Sequence, residues 1–500
     1  MTLKSVPEKL AVSRFRLIAL LAGPAVALLI LAFFEGDPEN PMVCRTMAVG
    51  AWMAIWWMTE AVPLAVTALL PVVLFPTLGV MSGKDVAETY FNDVIFLFTG
   101  GFLVALALQK WNLHQRIALK ILLLVGSSPA RILLGFILAT TFLSMWISNT
   151  ATAMMMVPVV LSIITKLEEL NGKEKVANYA TGILLAVGYS ASIGGIATLV
   201  GTPPNLSFMR IQEMYFPGKY DISFTDWFAA AFPITVLLTL FLFVYLYFAF
   251  VRSKSQFRQL EKSELVNAYQ NLGPWTREQI LLLFLFVSMV GLWFLRADIN
   301  LGTFVIQGWS DLFGNPDFLD DGTVAMFIGI VLFLIPSKNV RGDFLMDWKT
   351  ALNLPWDIIL LFGGGFALAA GIKVSGLSEW IGEQLLFLKD IHPLVLVLIV
   401  TALLTFISEV ASNAAAVETF LPVVAALAVS IGLDPLLLMF PATIGASMGF
   451  MLPAATPPNA IVFAAKRIRT AQMVKAGLML DLVAIVVITF FWYFIGQFLI

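Results

Sequence analysis

Long apolar runs separated by short polar breaks dominate the chain, and their lengths predict helices that cross a bilayer. A spanning helix needs about 20 mostly apolar residues. By that measure helices are expected near 17–34, 43–60, 61–80 and 93–110. Longer apolar stretches follow at 130–165 and 179–215, then a helix near 226–250. Beyond a polar break at 252–278 come 279–296, 323–336 and 355–372, long stretches at 393–430 and 434–465, and a last helix at 476–499. The breaks at 252–278 and 297–321 are too short and mixed to be separate domains. Hydropathy alone does not separate a re-entrant hairpin from two full crossings at 130–165 and 393–430. Both leave the parity of the topology unchanged.

Composition agrees with a polytopic membrane protein. Hydrophobic residues are 60% and charged residues 12% of the chain, against about half and a quarter in ordinary soluble domains. A formal net charge of −2 gives no reason to expect a nucleic-acid partner. The single cysteine, Cys44, excludes an intrachain disulfide framework. A basic N-terminal stretch (Lys4, Lys9, Arg14, Arg16) precedes an apolar run from Leu17 to Phe34. That run is longer than a signal-peptide core and has no small-residue cleavage site, so it reads as a first membrane helix.

Basic residues orient the map, because cytoplasmic segments carry an excess of Lys and Arg. With the N-terminus in the cytoplasm, that side collects most of the 30 Lys and Arg. Among them are Lys110, Arg116 and Lys120, then Arg252, Lys254 and Arg258, and finally Lys466, Arg467 and Arg469. The C-terminus is then outside. A plasma or bacterial inner membrane is the expected location.

The chain also repeats itself. IFLFTGGF (95–102) aligns with ILLFGGGF (359–366), and SNTATAMMMVP (148–158) with SNAAAVETFLP (412–422), all offset by 264 residues. GTPPN (201–205) matches ATPPN (455–459) with a connector about ten residues shorter. The segment after the first Gly-Gly helix is basic, whereas its counterpart carries Glu379, Glu383 and Asp390. By the charge rule the two copies face opposite ways. Inverted repeats of this kind build many secondary transporters, with sites at the midplane between the copies.

Four polar interruptions fall within these apolar stretches: Ser148-Asn149-Thr150, Ser412-Asn413-Ala414, Gly201-Thr202-Pro203-Pro204-Asn205 and Ala455-Thr456-Pro457-Pro458-Asn459. A double proline removes two backbone donors and blocks helix continuation. Broken helix is tolerated at membrane depth only where it is buried in protein or lines a wet cavity. Each break frees carbonyl oxygens for a hard cation and exposes a half-helix N-terminus that suits an anion. One such motif alone is as well explained by helix packing. Four, paired by an inverted repeat, point to a site for cations and an anion. No Lys or Arg lies in the surrounding spans, so bound cations would offset a dianion's charge. Glu60, beside Pro63, reads as a helix-end residue, while Glu409 and Glu418 are open to structural or functional roles. The Gly100-Gly101 and Gly363-Gly364-Gly365 runs read as close helix packing. His114 and His392 lie outside the candidate site, and no nucleophile or metalloprotease constellation appears, so the chain is not expected to be an enzyme.

These motifs, in this order in two halves, closely resemble the divalent anion/sodium symporter family, from about residue 40 to the C-terminus. The resemblance implies an all-α fold of about 11 transmembrane helices in two inverted repeats, with two re-entrant hairpins and two broken helices, working as an elevator in a homodimer. It implies an N-terminal segment and first helix (1–40), scaffold parts at 41–128 and 279–391, transport parts at 129–252 and 392–500, and a cytoplasmic linker at 253–278. One Na+ site would use Ser144, Ser148, Asn149 and the carbonyl of Gly201. Its symmetry mate would use Ser408, Ser412, Asn413 and the carbonyl of Ala455. Substrate carboxylates would meet Asn149, Thr150, Thr202, Ser412, Asn413 and Thr456. The implied activity is Na+-coupled import of C4 dicarboxylates such as succinate, malate or fumarate; the alternatives are sulfate or citrate symport and cation-independent dicarboxylate exchange. One departure stands out. Where the second motif of the family often reads SNT, Ala414 stands here, with Ala416 and Glu418 following. Compared with Thr150 and Thr152, two hydroxyls are missing.

Overall fold

The computed structural model describes residues 14–34, 36–252, 262–300 and 304–499. Lys4 and Lys9 of the basic N-terminal stretch, and Lys254 and Arg258 of the linker, lie outside the described residues. Within them the chain is helical apart from turns and one two-stranded antiparallel ribbon, Ile299–Asn300 against Val305–Ile306. Among the described residues nine helices are long and apolar enough to cross a membrane, and shorter apolar segments accompany them at Leu64–Leu78, Pro129–Ser144, Asp321–Leu334, Pro393–Ser408 and Pro435–Gly445.

The order of elements repeats. A glycine-bearing helix (Asp93–Lys110) and a shorter one (Leu113–Val125) precede a helix pair, Pro129–Ser144 and Asn149–Asn171. A broken helix follows, Lys173–Gly195 then Pro203–Tyr215, and a long helix, Phe224–Leu246, closes the unit. The second copy runs Trp356–Val374, Leu377–Gln384, Pro393–Ser408, Asn413–Ser430, Pro435–Gly445, Pro457–Ala464 and Thr470–Phe494. The apolar stretches at 130–165 and 393–430 thus each divide into two helices joined at the SN motif. Both arms of the first pair pack on Lys173–Gly195, as expected of a hairpin.

Local sequence accounts for these boundaries. Ser128, Asn92 and Asp434 accept a hydrogen bond from a backbone N–H of the turn they start, satisfying donors a helix N-terminus leaves free. Ser223 with Asp226, and Thr276 with Gln279, close capping boxes. The expected span at 61–80 is interrupted: Leu64–Thr67 and Leu70–Leu78 are separate helical pieces, in a segment carrying Pro63, Pro71 and Pro76. The glycine helices allow backbones to approach closely. A methyl group on Gly100 would lie 2.4 Å from the Ala325 carbonyl carbon, and one on Gly364 would lie 2.3 Å from Ala68 O. Polar loop termini are tied back by charge. Lys110 Nζ lies 2.6 Å from Asp347 Oδ2 and 2.9 Å from Asp343 Oδ2, and that hydrogen bond holds the Asp347 carboxyl well below the usual carboxylate range.

Candidate functional site

Four helices begin at one cavity of about 770 Å³. Their first residues are Asn149, Pro203, Asn413 and Pro457, and all four line it. Proline suits the first helical position because its missing N–H would be unpaired there anyway. Thr202 and Thr456 precede the prolines in extended conformation, so the chain enters each half-helix directly from the cavity wall. Helix N-termini carry partial positive charge, and their free N–H groups favour anions. The only charged side chains among the described lining residues are Glu60 and Asp357. Gln109 and Asp357 stand on the helices Asp93–Lys110 and Trp356–Val374, and Glu60 and Asn353 in turns beside helix ends. Glu60 also ends the helix Pro41–Thr59 in left-handed conformation, with φ 47°.

The cavity brings together Ser148, Asn149, Thr150, Gly201, Thr202, Ser412, Asn413, Ala455 and Thr456. Ser144 and Ser408 are buried and are not among its lining residues. In the first copy Ser144 Oγ lies 2.7 Å from Asn149 Oδ1 and 2.6 Å from the Ala191 carbonyl. Ser148 caps its helix, accepting from Ala151 N at 3.3 Å. Gly195 supplies the space for Asn149, since a Cβ there would lie 2.3 Å from Asn149 Oδ1. Gly201 packs equally tightly against the Gly195 carbonyl.

The second copy is built differently. Ser408 Oγ donates to Thr405 O within its own helix at 2.7 Å, and Ser412 makes no side-chain cap. Asn413 Oδ1 is buried and has no protein donor. Such an oxygen costs free energy unless a ligand or water satisfies it. Glu409 takes over the organisation of the loop: its carboxylate accepts from Met451 N at 2.8 Å and from Leu452 N at 2.9 Å. In the first copy, Met145 occupies the position of Glu409, and its carbonyl accepts from the Thr198 hydroxyl. A side chain is therefore tied to backbone in both halves, donating to a carbonyl in the first and accepting from two N–H groups in the second. Ala414 lines the cavity, and Ala416 is buried.

Two asparagines perform work that motif reading did not assign. Asn205 Nδ2 donates to the carbonyls of Gly195 at 3.1 Å and Thr198 at 2.7 Å. Asn459 Nδ2 donates to Gly449 and Leu452, each at 3.1 Å. Both are fully buried, and each pins the loop between two half-helices. Their place as the last letter of both PPN motifs was the available signal. Glu418 lies away from the cavity, hydrogen-bonded to Ser207. His114 is buried with Nδ1 at 2.9 Å from Leu108 O, and His392 caps its helix through Leu394 N.

Oxygen-rich breaks, four helix N-termini and a cavity inside an apolar helix bundle are the arrangement of a membrane transporter. The comparisons agree with this class. The model of the sodium:sulfate symporter transmembrane region matches residues 14–500, and the chain belongs to that family. It is 40% identical over 487 residues to the sodium-dependent dicarboxylate transporter SdcS of Staphylococcus saprophyticus, covering 96% of this chain and 91% of that one. Its counterpart in Staphylococcus aureus strain USA300 is 39% identical over 493 residues, covering 98% and 92%. Two solved structures share the fold at 14% identity. The Alcanivorax borkumensis YdaH transporter superposes with a TM-score of 0.59 over 91% of this chain and 99% of that one. Neisseria gonorrhoeae MtrF gives 0.56 over 82% and 84%. The chain is thus a multi-pass membrane transporter, not an enzyme.

Proposed function

We propose that the protein imports a C4 dicarboxylate, such as succinate, malate or fumarate, coupled to Na+. The observation that carries this reading is the convergence of four helix N-termini on a cavity without a lining Lys or Arg. A dianion there meets partial positive charges and hydroxyl and amide donors, and bound Na+ supplies the remaining compensation. Coupling follows, because the anion is held well only when cations are present. The SdcS relatives, named as sodium-dependent dicarboxylate transporters, favour the same ion and substrate class.

Na+ is cargo here, and the donor set suits it. Ser144, Ser148, Asn149 and the Gly201 carbonyl would take one ion; Ser408, Ser412, Asn413 and the Ala455 carbonyl would take the other. These are neutral oxygens, as a hard monovalent cation prefers. The unpartnered Asn413 Oδ1 supports the second site. Asn149, Thr150, Thr202, Ser412, Asn413 and Thr456 would contact the carboxylates.

The movement is an elevator. Residues 129–252 and 392–500 carry the site and slide against a scaffold of 41–128 and 279–391, arranged as inverted repeats in a homodimer. The N-terminus is cytoplasmic and the C-terminus outside. Glu60, Gln109, Asn353 and Asp357, which line the cavity, lie at helix ends that the charge rule assigns to the cytoplasm, which supports reading this as an inward-facing conformation.

Radiolabelled succinate uptake into proteoliposomes, with and without an inward Na+ gradient, tests the reading. Saturable uptake that needs Na+ and is lost in Asn149→Ala is expected. Uptake indifferent to Na+ but driven by internal succinate would replace symport with exchange. Sulfate or citrate uptake in place of succinate would overturn the substrate.

A further inference from the structure

Glu418 is the one fully buried carboxylate on the hairpin helix Asn413–Ser430, and it stands outside the cavity. Its Oε1 is hydrogen-bonded to Ser207 Oγ on the half-helix Pro203–Tyr215. Its Oε2 has no partner. On the third side it presses on the glycine helix Trp356–Val374, where a Cβ on Gly365 would lie 2.1 Å from Oε2.

Among the described residues no cation pairs with this carboxyl. The helices packed on Asn413–Ser430 carry Arg45, Cys44, Arg210, Glu213, Tyr215, Asp357, Lys373, Glu379 and Glu383 as their titratable groups. Each basic group is committed elsewhere: Arg45 to Leu78 O, Arg210 to Asp93 and Glu213, Lys373 to Met214 O. An ionised carboxylate buried with a single neutral donor is expensive. The hydroxyl of Ser207 adds a second argument. It lies 3.4 Å from the Pro203 carbonyl as well as against Glu418, and it has one proton for two acceptors. The arrangement that satisfies both has the carboxylic acid donating to Ser207 and Ser207 donating to Pro203, which lines the cavity.

We propose that Glu418 is a proton-binding site in the moving part of the transporter, and that its protonated form is the one that crosses the glycine helix. This rests on the elevator reading above. The ligand is H+: an O–H bond forms on the carboxylate as hydronium gives up one and breaks again as water takes it back, with no other bond changed. The neutral acid fits against the bare backbone of Gly365, whereas the carboxylate would have to cross the same apolar contact charged. In the first copy Met154 occupies the equivalent position, so the proton site belongs to one hairpin only.

The test is Na+-driven succinate uptake across a pH series, at equal dianion concentration, in the wild type and Glu418→Gln. Wild-type uptake is expected to fall about tenfold per pH unit above its midpoint, as for one titrating group. Glu418→Gln, fixed in the neutral form, is expected to transport with a flat profile. Profiles of the same shape in both proteins would overturn the proposal, as would a flat wild-type profile. Should Glu418→Gln fail to fold, Ser207→Ala serves. It removes the donor that turns to the carboxylate, a charge-assisted bond stronger than its neutral counterpart, so the midpoint moves to higher pH; an unmoved midpoint would overturn the proposal. Absence of Na+-dependent uptake at every pH would instead strike the functional reading.

Discussion

Gly195→Ala is a sharp test of the first cation site because it adds one methyl group at a known distance from one proposed ligand. The new Cβ would lie 2.3 Å from Asn149 Oδ1 and 2.9 Å from its Nδ2. Ordinary van der Waals contact begins at 3.4 Å, so the amide must retreat by about 1 Å, comparable to the displacements that overpacked cores suffer. Without Na+ the amide can swing toward the open cavity by giving up its hydrogen bond from Ser144, at about 0.5–1.5 kcal/mol. With Na+ it has to stay against the new methyl, so the bound state carries the larger strain. Overpacking by a methyl costs about 1–3 kcal/mol, which sets an upper bound of about 5- to 140-fold on the loss in Na+ affinity. The assay is the Na+ dependence of succinate uptake at saturating succinate. Gly291→Ala is the control: nothing lies within 4 Å of its added methyl, and a glycine inside Arg277–Phe294 gives up about 0.5–1 kcal/mol of stability relative to alanine. A wild-type Na+ half-saturation in Gly195→Ala, with intact expression, would refute the placement of the ion at Asn149.

Three further outcomes are expected. Glu409→Gln leaves one of the Met451 and Leu452 N–H groups without an acceptor, at about 1–3 kcal/mol; thermal unfolding in detergent should fall, and Na+ half-saturation should rise. Ala414→Thr restores a hydroxyl to the cavity wall and should change the ranking of competing dianions in uptake inhibition, whereas an unchanged ranking would make the position silent. Asp347, whose ionised form Lys110 favours, adds stability that is complete above the unfolded carboxylate value of about 4 and is lost as pH falls toward its lower folded value. Lys110→Met should therefore flatten the acid limb of a thermal-stability profile, and an unchanged limb would refute the pairing.

Much of the architecture was legible because a bilayer leaves few choices. Apolar runs of fixed length give helices, and a double proline at membrane depth has to break the helix inside protein or at a cavity, so the four site helices begin where the SN and PPN motifs put them. Sequence periodicity did not divide the apolar stretches at 130–165 and 393–430, since both arms are equally apolar; the structure divides each into two helices joined at the SN motif, with Pro129–Ser144 and Asn149–Asn171 both packed on Lys173–Gly195. The span at 61–80 read as continuous because three prolines do not lower its hydropathy, although they divide the backbone. The supporting residues were the least visible. Asn205 and Asn459 look like ordinary loop asparagines until their amides are seen to donate into two carbonyls each. Gly195 is one small residue among many until Asn149 is placed against it.

The sequence repeat brings its four motifs to one cavity, and the two copies depart from each other in how they hold their loops. Where the first copy has Ser144 bridging to Asn149 and to the Ala191 carbonyl, the second has Ser408 turned into its own helix and Asn413 left with a bare oxygen. The first loop is pinned by a hydroxyl donating to the Met145 carbonyl, and the second by the Glu409 carboxylate accepting two backbone amides. A carboxylate held by two N–H donors is a stronger tie than one hydroxyl, so the second loop is the more rigid in shape while its ligand set is the less complete. At the proposed sites, an ion entering the second would meet an unsatisfied acceptor, Asn413 Oδ1, whereas one entering the first would have to displace the hydrogen bond between Ser144 and Asn149. The second site should therefore fill first. Asn413→Ala should abolish transport at low Na+ and be partly recovered at high Na+, while Ser144→Ala, which frees the Asn149 oxygen, should lose less. The reverse order of severity in the Na+ titration of uptake would show that loop rigidity does not set the order of binding.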